Sequence, residues 1–302
     1  MFVSRISTLV LTALLASCQP ATETITFFHT ASLSPLVETV SKRFEGMHPG
    51  VAVVRESGAG LDIIRKLPGR TPGPDLLAVS DRRLLERLLD SGSVNRAFEF
   101  LGNDMVLATR DPEFLSATRL SGRSHRRWYE ILLERDYSYG IADPDRDPTG
   151  YCAHMVWKLA EMHYERPGLY RRLLNGLDSR WICSESGELA ALLRADALDL
   201  AFLYRSTALQ TGLAFLDLPP QIALGETLYG ASYSQATLRV TGKVPDSMAE
   251  LKGVPIRYGV ALMRESSPWA ERYLNYLLSP EVQALYRELG YRNIPVTRIE
   301  PW

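Results

Sequence analysis

At 302 residues the chain is too long for one small motif and suits one large domain or two medium ones. Apolar residues make up 46% and charged residues 23%, and the 18 Pro and 21 Gly are dispersed, which excludes a collagen-like or long disordered chain. Thirty-four Lys and Arg against 35 Asp and Glu leave a net charge of -1. That excludes nucleic acid held on a basic face, but not a small anion held by backbone dipoles.

Residues 1–17 carry one basic side chain, Arg5, then the apolar run Leu9–Leu15 and the small pair Ala16-Ser17. This is the order of a secretory signal, and the run is too short to span a bilayer. Leu15-Ala16-Ser17-Cys18 resembles the bacterial lipobox, in which the Cys is lipidated and becomes the mature N-terminus. The expected product is exported and anchored to a membrane through lipid on Cys18, facing the periplasm or the cell exterior. Residues 18–24 form a polar tether. Cys152 and Cys183 then remain in an oxidising compartment, where they could pair or stay as isolated buried thiols.

Along the mature chain, residues 25–29 read as a strand, and Ser34-Pro35 opens a helix whose buried stripe is Leu36, Val40 and Phe44. Strands over 51–54 and 75–79 alternate with helices after Gly60 and over 82–89, so a largely parallel sheet is predicted. A second set follows: strands over 104–109, 139–142 and 200–204, with helices over 128–133, 151–164 and 187–195. A basic, polar stretch covers residues 119–127, and 143–150 is a loop. Strands over 237–240 and 256–262 and helices over 268–278 and 280–289 complete the chain. The fold class is α/β with two lobes: residues 25–104 and 260–302 in one, 105–259 in the other. Two crossings, near 104–109 and 255–260, would leave a ligand cleft between the lobes.

No G-x-S-x-G, H-E-x-x-H, Walker A or C-x-x-C motif is present, and the five His are scattered. Asp143, Asp145 and Asp147 begin like a calcium loop, but Pro148 stands where that loop needs Gly and His154 where it needs Glu. Small or hydroxyl residues precede helices at four places: Ala31-Ser32, Ala59-Gly60, 148–150 and 184–187. Each is an ordinary helix cap by itself. Converging on one cleft, they would form a neutral cage of N–H and O–H donors for an anion.

The segments FFHTASLSPL (27–36), RKL (65–67), PDLLAVSD (74–81), NDMVLA (103–108), WYEILL (128–133) and ADPDRDPTGY (142–151) carry a family resemblance, with ELAALL (188–193), DLAFLYRS (199–206) and VPIRYGV (254–260). The chain resembles the tungstate/molybdate-binding proteins of ABC importers, of the type II periplasmic-binding-protein fold. The resemblance implies an oxyanion ligand, a membrane permease as partner, a monomer, and no cofactor beyond the bound tungstate or molybdate. By position, its oxyanion ligands fall on Ser32, Gly60, Thr149, Ser186 and Tyr204. Ser32 would donate its hydroxyl, Thr149 its amide, and Tyr204 its hydroxyl or a cleft loop's position. In one branch of the family an Asp and a Glu add carboxylate oxygens to the metal of the oxyanion. That Asp corresponds to Asp147, whereas the Glu position falls on Ser186 with Glu185 one residue away. Gly60 keeps an amide where the family has a second Ser. Either Glu185 takes over by a local shift, or the protein binds a plain tetrahedral anion. A related solute-binding protein for another anion or a small organic acid, and a secreted hydrolase, are the alternatives.

Overall fold

The computed structural model describes residues 23–119, 127–134, 137–241 and 248–300. The signal segment, Cys18 and most of the basic stretch lie outside the described residues. In chain order the elements are β1 (Glu23–Thr30), α1 (Ser34–Met47), β2 (Val51–Gly58), α2 (Gly60–Arg65), β3 (Leu76–Val79), α3 (Arg83–Asp90) and β4 (Val94–Gly102). They continue with β5 (Met105–Thr109), α4 (Pro112–Arg119), α5 (Trp128–Glu134), β6 (Tyr139–Ala142), α6 (Pro148–His163), α7 (Leu169–Gly176), β7 (Ile182–Cys183), α8 (Ser186–Arg194), β8 (Leu200–Tyr204) and α9 (Arg205–Gln210). Last come β9 (Ala214–Asp217), α10 (Gly230–Tyr233), β10 (Thr237–Thr241), β11 (Met248–Lys252), β12 (Arg257–Met263), α11 (Pro268–Leu277), α12 (Pro280–Glu288) and β13 (Arg292–Ile299).

Two sheets form the two lobes. The first has the order β13-β4-β12-β3-β1-β2, and the second β7-β6-β8-β5-β9. The chain passes from the first to the second at Asn103-Asp104 and returns through residues 253–256. The expectation of a largely parallel first sheet is corrected. β1 runs parallel to β2 and β3, but β12 is antiparallel to both β3 and β4, and β13 is antiparallel to β4. These antiparallel strands arrive from distant parts of the chain, so local βαβ alternation does not report them.

Local chemistry explains the elements. The run Leu76-Leu77-Ala78-Val79 is wholly buried because both of its faces are covered. Leu36, Val37, Val40 and Phe44 bury one face of α1. Ser267 and Ser279 accept backbone N–H bonds at the starts of α11 and α12, each followed by a Pro in the first turn. Helix α6 begins at Pro148, three residues earlier than the sequence pattern suggests, because Asp147 caps it and Pro suits the first turn. β4 and β13 stand where the sequence pattern predicts no strand. Cys152 and Cys183 are both buried and free, so they do not form a disulfide.

The crossings are tied together. Arg292 on β13 donates Nη2 to Asp104 Oδ1 at 2.7 Å and Nη1 to Glu226 Oε1 at 2.7 Å. Gly225 allows that approach: a Cβ there would sit 1.8 Å from Asp104 Oδ1. Gly150 has a similar role in the first turn of α6, where a Cβ would lie 2.2 Å from Ala142 O and 2.7 Å from Pro144 N. Both neighbours are backbone and have little freedom to yield. Gly150→Ala is expected to lower the unfolding free energy by about 3 kcal/mol in urea titrations. Gly46→Ala, in open space near the end of α1, should change it by no more than about 1 kcal/mol, in the stabilising direction.

Candidate functional site

Strand ends and helix starts from both sheets meet where the lobes touch. From the first lobe come the turn Ala31–Leu33 after β1, residues Ala59-Gly60 after β2, and Ser80-Asp81 after β3. The second lobe supplies the starts of α6, α8 and α9, after β6, β7 and β8. Ligands in open α/β sheets bind outside such strand ends.

Asp147 is the centre of this junction. It is only 3% exposed, and its carboxylate accepts the Thr149 amide on Oδ1 at 2.9 Å and the Ser186 amide on Oδ2 at 3.0 Å. One acid therefore caps α6 and ties it to the start of α8. Burial pushes the Asp147 carboxyl up, and the two amides offset only part of that rise. Glu185 is half-buried immediately before α8, and burial followed by the charges of Asp147 and Glu188 raises its carboxyl as well. The Thr149 amide is thus already committed to Asp147 rather than free for a ligand. Its hydroxyl is buried and makes no hydrogen bond of ordinary geometry.

Ser32 sits opposite. Its Oγ is 3.1 Å from the Tyr258 hydroxyl, and its carbonyl accepts from Tyr291 Oη at 2.6 Å. Asn103 donates Nδ2 to Ser206 Oγ at 2.7 Å and to Tyr258 Oη at 3.1 Å. The turn bearing Ser32 packs on α8. Tyr204 is fully buried, with its ring 6.0 Å from that of Tyr258 and its hydroxyl 3.9 Å from Cys152 Sγ. Burial pushes the Tyr204 phenol well up, reinforced by the neighbouring Cys152, Tyr258, Tyr151 and Asp147. Gly60 meets the second lobe: a Cβ on it would come within 3.2 Å of Pro148 Cδ. The structure therefore gathers Ser32, Gly60, Asp147, Thr149, Ser186 and Tyr204, with Glu185 at the rim.

Asn103, Ser206, Tyr258 and Tyr291 were not singled out from sequence. The signal for Asn103 was there: an amide side chain between two apolar strands, at a crossing between the lobes. Nor were the contacts that hold the lobes together. Leu61 N donates to Arg146 O at 3.0 Å, and Arg146 Nη2 pairs with Asp62 Oδ2 at 2.7 Å. Deeper in, Tyr151 Oη donates to Asp81 Oδ2 at 2.5 Å, across the lobes. Arg83 grips the same carboxylate through Nε at 2.9 Å and Nη2 at 2.6 Å, and its Nη1 donates to Lys252 O at 2.9 Å. Among the described residues no group of three His, Cys, Asp or Glu side chains converges as a metal site.

A family model for bacterial extracellular solute-binding proteins matches residues 25–292. The chain belongs to this family. It is a family of solute-binding transport proteins, not of enzymes. An uncharacterised solute-binding protein of Petrotoga mobilis is 32% identical over 93% of this chain and 87% of its own length. The molybdate/tungstate-binding protein WtpA of Pyrococcus abyssi is 27% identical over 94% and 91%. Among solved structures, the periplasmic molybdate-binding protein of Azotobacter vinelandii matches with a TM-score of 0.62 at 16% identity, covering 90% of this chain and 99% of that one. The sulfate-binding protein SubI of Mycobacterium tuberculosis matches with a TM-score of 0.62 at 15% identity, over 90% and 87%. At such identities the likeness is one of fold, the two-lobed α/β architecture of solute-binding proteins. No helix among the described residues is long and apolar enough to cross a membrane.

The buried Asp81–Arg83 pair makes stability depend on pH. Burial alone would raise the Asp81 carboxyl, but the charge and hydrogen bonds of Arg83, with the Tyr151 hydroxyl, outweigh it and hold the carboxyl below the ordinary range. A carboxyl lowered in the folded state adds stability above its unfolded value of about 3.9 and loses it as pH falls toward the folded value. Asp81→Asn leaves Arg83 buried without its charge partner, a loss of about 3 kcal/mol at pH 7. Urea titrations should show the gap between the two proteins narrowing below about pH 4.

Proposed function

We propose that this protein captures tungstate or molybdate between its lobes and delivers it to the membrane permease of an ABC importer. The observation that carries the reading is the Asp147 carboxylate, buried and held by amides from the starts of two helices. A plain tetrahedral anion would need those amides for itself and would meet a carboxylate in their place. A tungsten or molybdenum centre can instead accept a carboxylate oxygen and rise above four-coordination, which sulfur in sulfate does not do. Asp147 is the metal ligand in this reading, with Glu185 at the rim as the second. Ser32, Thr149 and Tyr204 donate hydroxyls to the oxo groups. The Gly60 amide approaches from the first lobe, and the Ser186 amide holds Asp147 in place. The relatives named for molybdate and tungstate support the ligand class.

The roles differ at Thr149 from those the resemblance implies, because its amide belongs to Asp147 and its hydroxyl is the available donor. The two lobes are residues 25–104 with 257–302, and 105–256, the second crossing falling slightly before the boundary at 260 expected from sequence because β12 begins at Arg257 in the first sheet. Closure over the anion excludes water and strengthens each polar contact. Residues 1–17 direct export, and lipid on Cys18 keeps the protein at the membrane beside its permease, facing the periplasm or exterior.

Calorimetric titration of the mature protein tests this. Tungstate and molybdate are expected to bind at one site, each far more tightly than sulfate. Asp147→Ala should weaken tungstate roughly 100-fold and leave sulfate little changed. The absence of heat and of thermal shift with tungstate and molybdate, or equal affinity for sulfate, would overturn the assignment.

A further inference from the structure

A cavity of about 1020 Å³ lies beside the interlobe contact, between α2, α3 and the ribbon of β10 and β11. That is many times the volume of a tetrahedral oxyanion and in the range of sites that hold organic molecules. Its wall is mainly apolar, with Leu61, Leu84, Leu88 and Leu251 among the lining side chains. Five guanidinium groups join them: Arg65, Arg70, Arg83, Arg87 and Arg264, against the carboxylates of Asp81 and Glu265.

Three of the five cations have acidic partners. Arg65 pairs with Asp62 at 3.1 Å, Arg70 with Glu56 at 2.8 Å and Arg83 with Asp81 at 2.6 Å. Arg264 spends Nε on Gly92 O at 2.6 Å and has no acidic partner among the described residues. Arg87 has neither a hydrogen bond nor an ion pair among the described residues. Among the described residues, two guanidinium groups without acidic partners therefore border an apolar surface.

We propose that this groove is a second ligand site, distinct from the oxyanion junction, for an amphipathic organic anion with an apolar chain or ring and one carboxylate or sulfonate group. The apolar body gains by leaving water against the leucines. The anionic group pairs with Arg87 or Arg264, whose planar donor forks suit a carboxylate or sulfonate. An organic cation would face the arginines. Asp81 and Tyr151 contribute to the same wall, so the groove abuts the contact between the lobes.

The test uses 8-anilinonaphthalene-1-sulfonate as a fluorescent probe and dodecanoate as competitor, with the mature full-length protein. The expected result is one saturable probe site per chain, emptied by dodecanoate and retained in excess tungstate. The double variant Arg87→Glu/Arg264→Glu should weaken the probe about tenfold or more, and Leu88→Gln should weaken it independently. Tungstate titration of each variant, expected to match the unaltered protein, reports that the fold and the oxyanion junction are intact. Non-saturable probe binding, unchanged affinity in both variants, or displacement of the probe by stoichiometric tungstate would overturn the proposal. Because tungstate is read separately, failure of the groove and failure of the oxyanion assignment are distinguishable.

Discussion

The buried carboxylate of Asp147 organises the second lobe's side of the junction. A charge taken out of water persists only when strong donors replace its hydration, and here two helix starts supply them. The consequence is geometric. α6 and α8 cannot shift independently while both amides hold one carboxylate. The positive ends of both helices are partly satisfied by an acid, so the junction presents oxygen as well as N–H and O–H groups. Such a mixture suits a ligand that carries oxo groups around an electrophilic metal better than one that offers only acceptors.

The first lobe supplies complementary chemistry. Ser32, Tyr258, Asn103 and Ser206 form a hydrogen-bonded chain that reaches from the end of β1 to the start of α9, spanning the crossing at Asn103. Arg292 clamps Asp104 and Glu226 close to that crossing. The lobes therefore share a network at the hinge side and meet again through Tyr151 with Asp81 and Arg146 with Asp62. The first of these contacts is buried and bound to Arg83, and it is the one with energetic weight. The Arg146–Asp62 pair is largely solvent-exposed and contributes little by itself.

Helix starts were the most legible part of the molecule. Ser267-Pro268 and Ser279-Pro280 carry local capping chemistry, and local chemistry is what a sequence displays, whereas Ser34 and Ser186 lie in the first turns of α1 and α8 and accept no capping bond. Ser32, Gly60, Asp147, Thr149, Ser186 and Tyr204 are singled out by small residues before helices and by the family resemblance, and the structure brings them to one junction. The strands β4 and β13 were hidden for opposite reasons. β4 interleaves Asn95, Arg96 and Glu99 with its apolar residues, and Glu99 faces Arg82 and Arg257 rather than water alone. β13 contains Pro295, and its pairing with β4 is irregular between Asn293 and Thr297. Tyr151 and Asp81 lie seventy positions apart, so no local pattern joins them. The Thr149 amide bonds Asp147 because a cap residue's side chain folds back on its own helix, which only geometry reveals.

Everything in the functional account rests on Asp147 acting as a ligand to the metal of the oxyanion rather than as a cap alone. X-ray absorption at the tungsten L3 edge of the tungstate-loaded protein measures this directly. More than four oxygen neighbours around tungsten, falling to four in Asp147→Ala, is the result expected. A regular four-oxygen tetrahedron in the unaltered protein would contradict it.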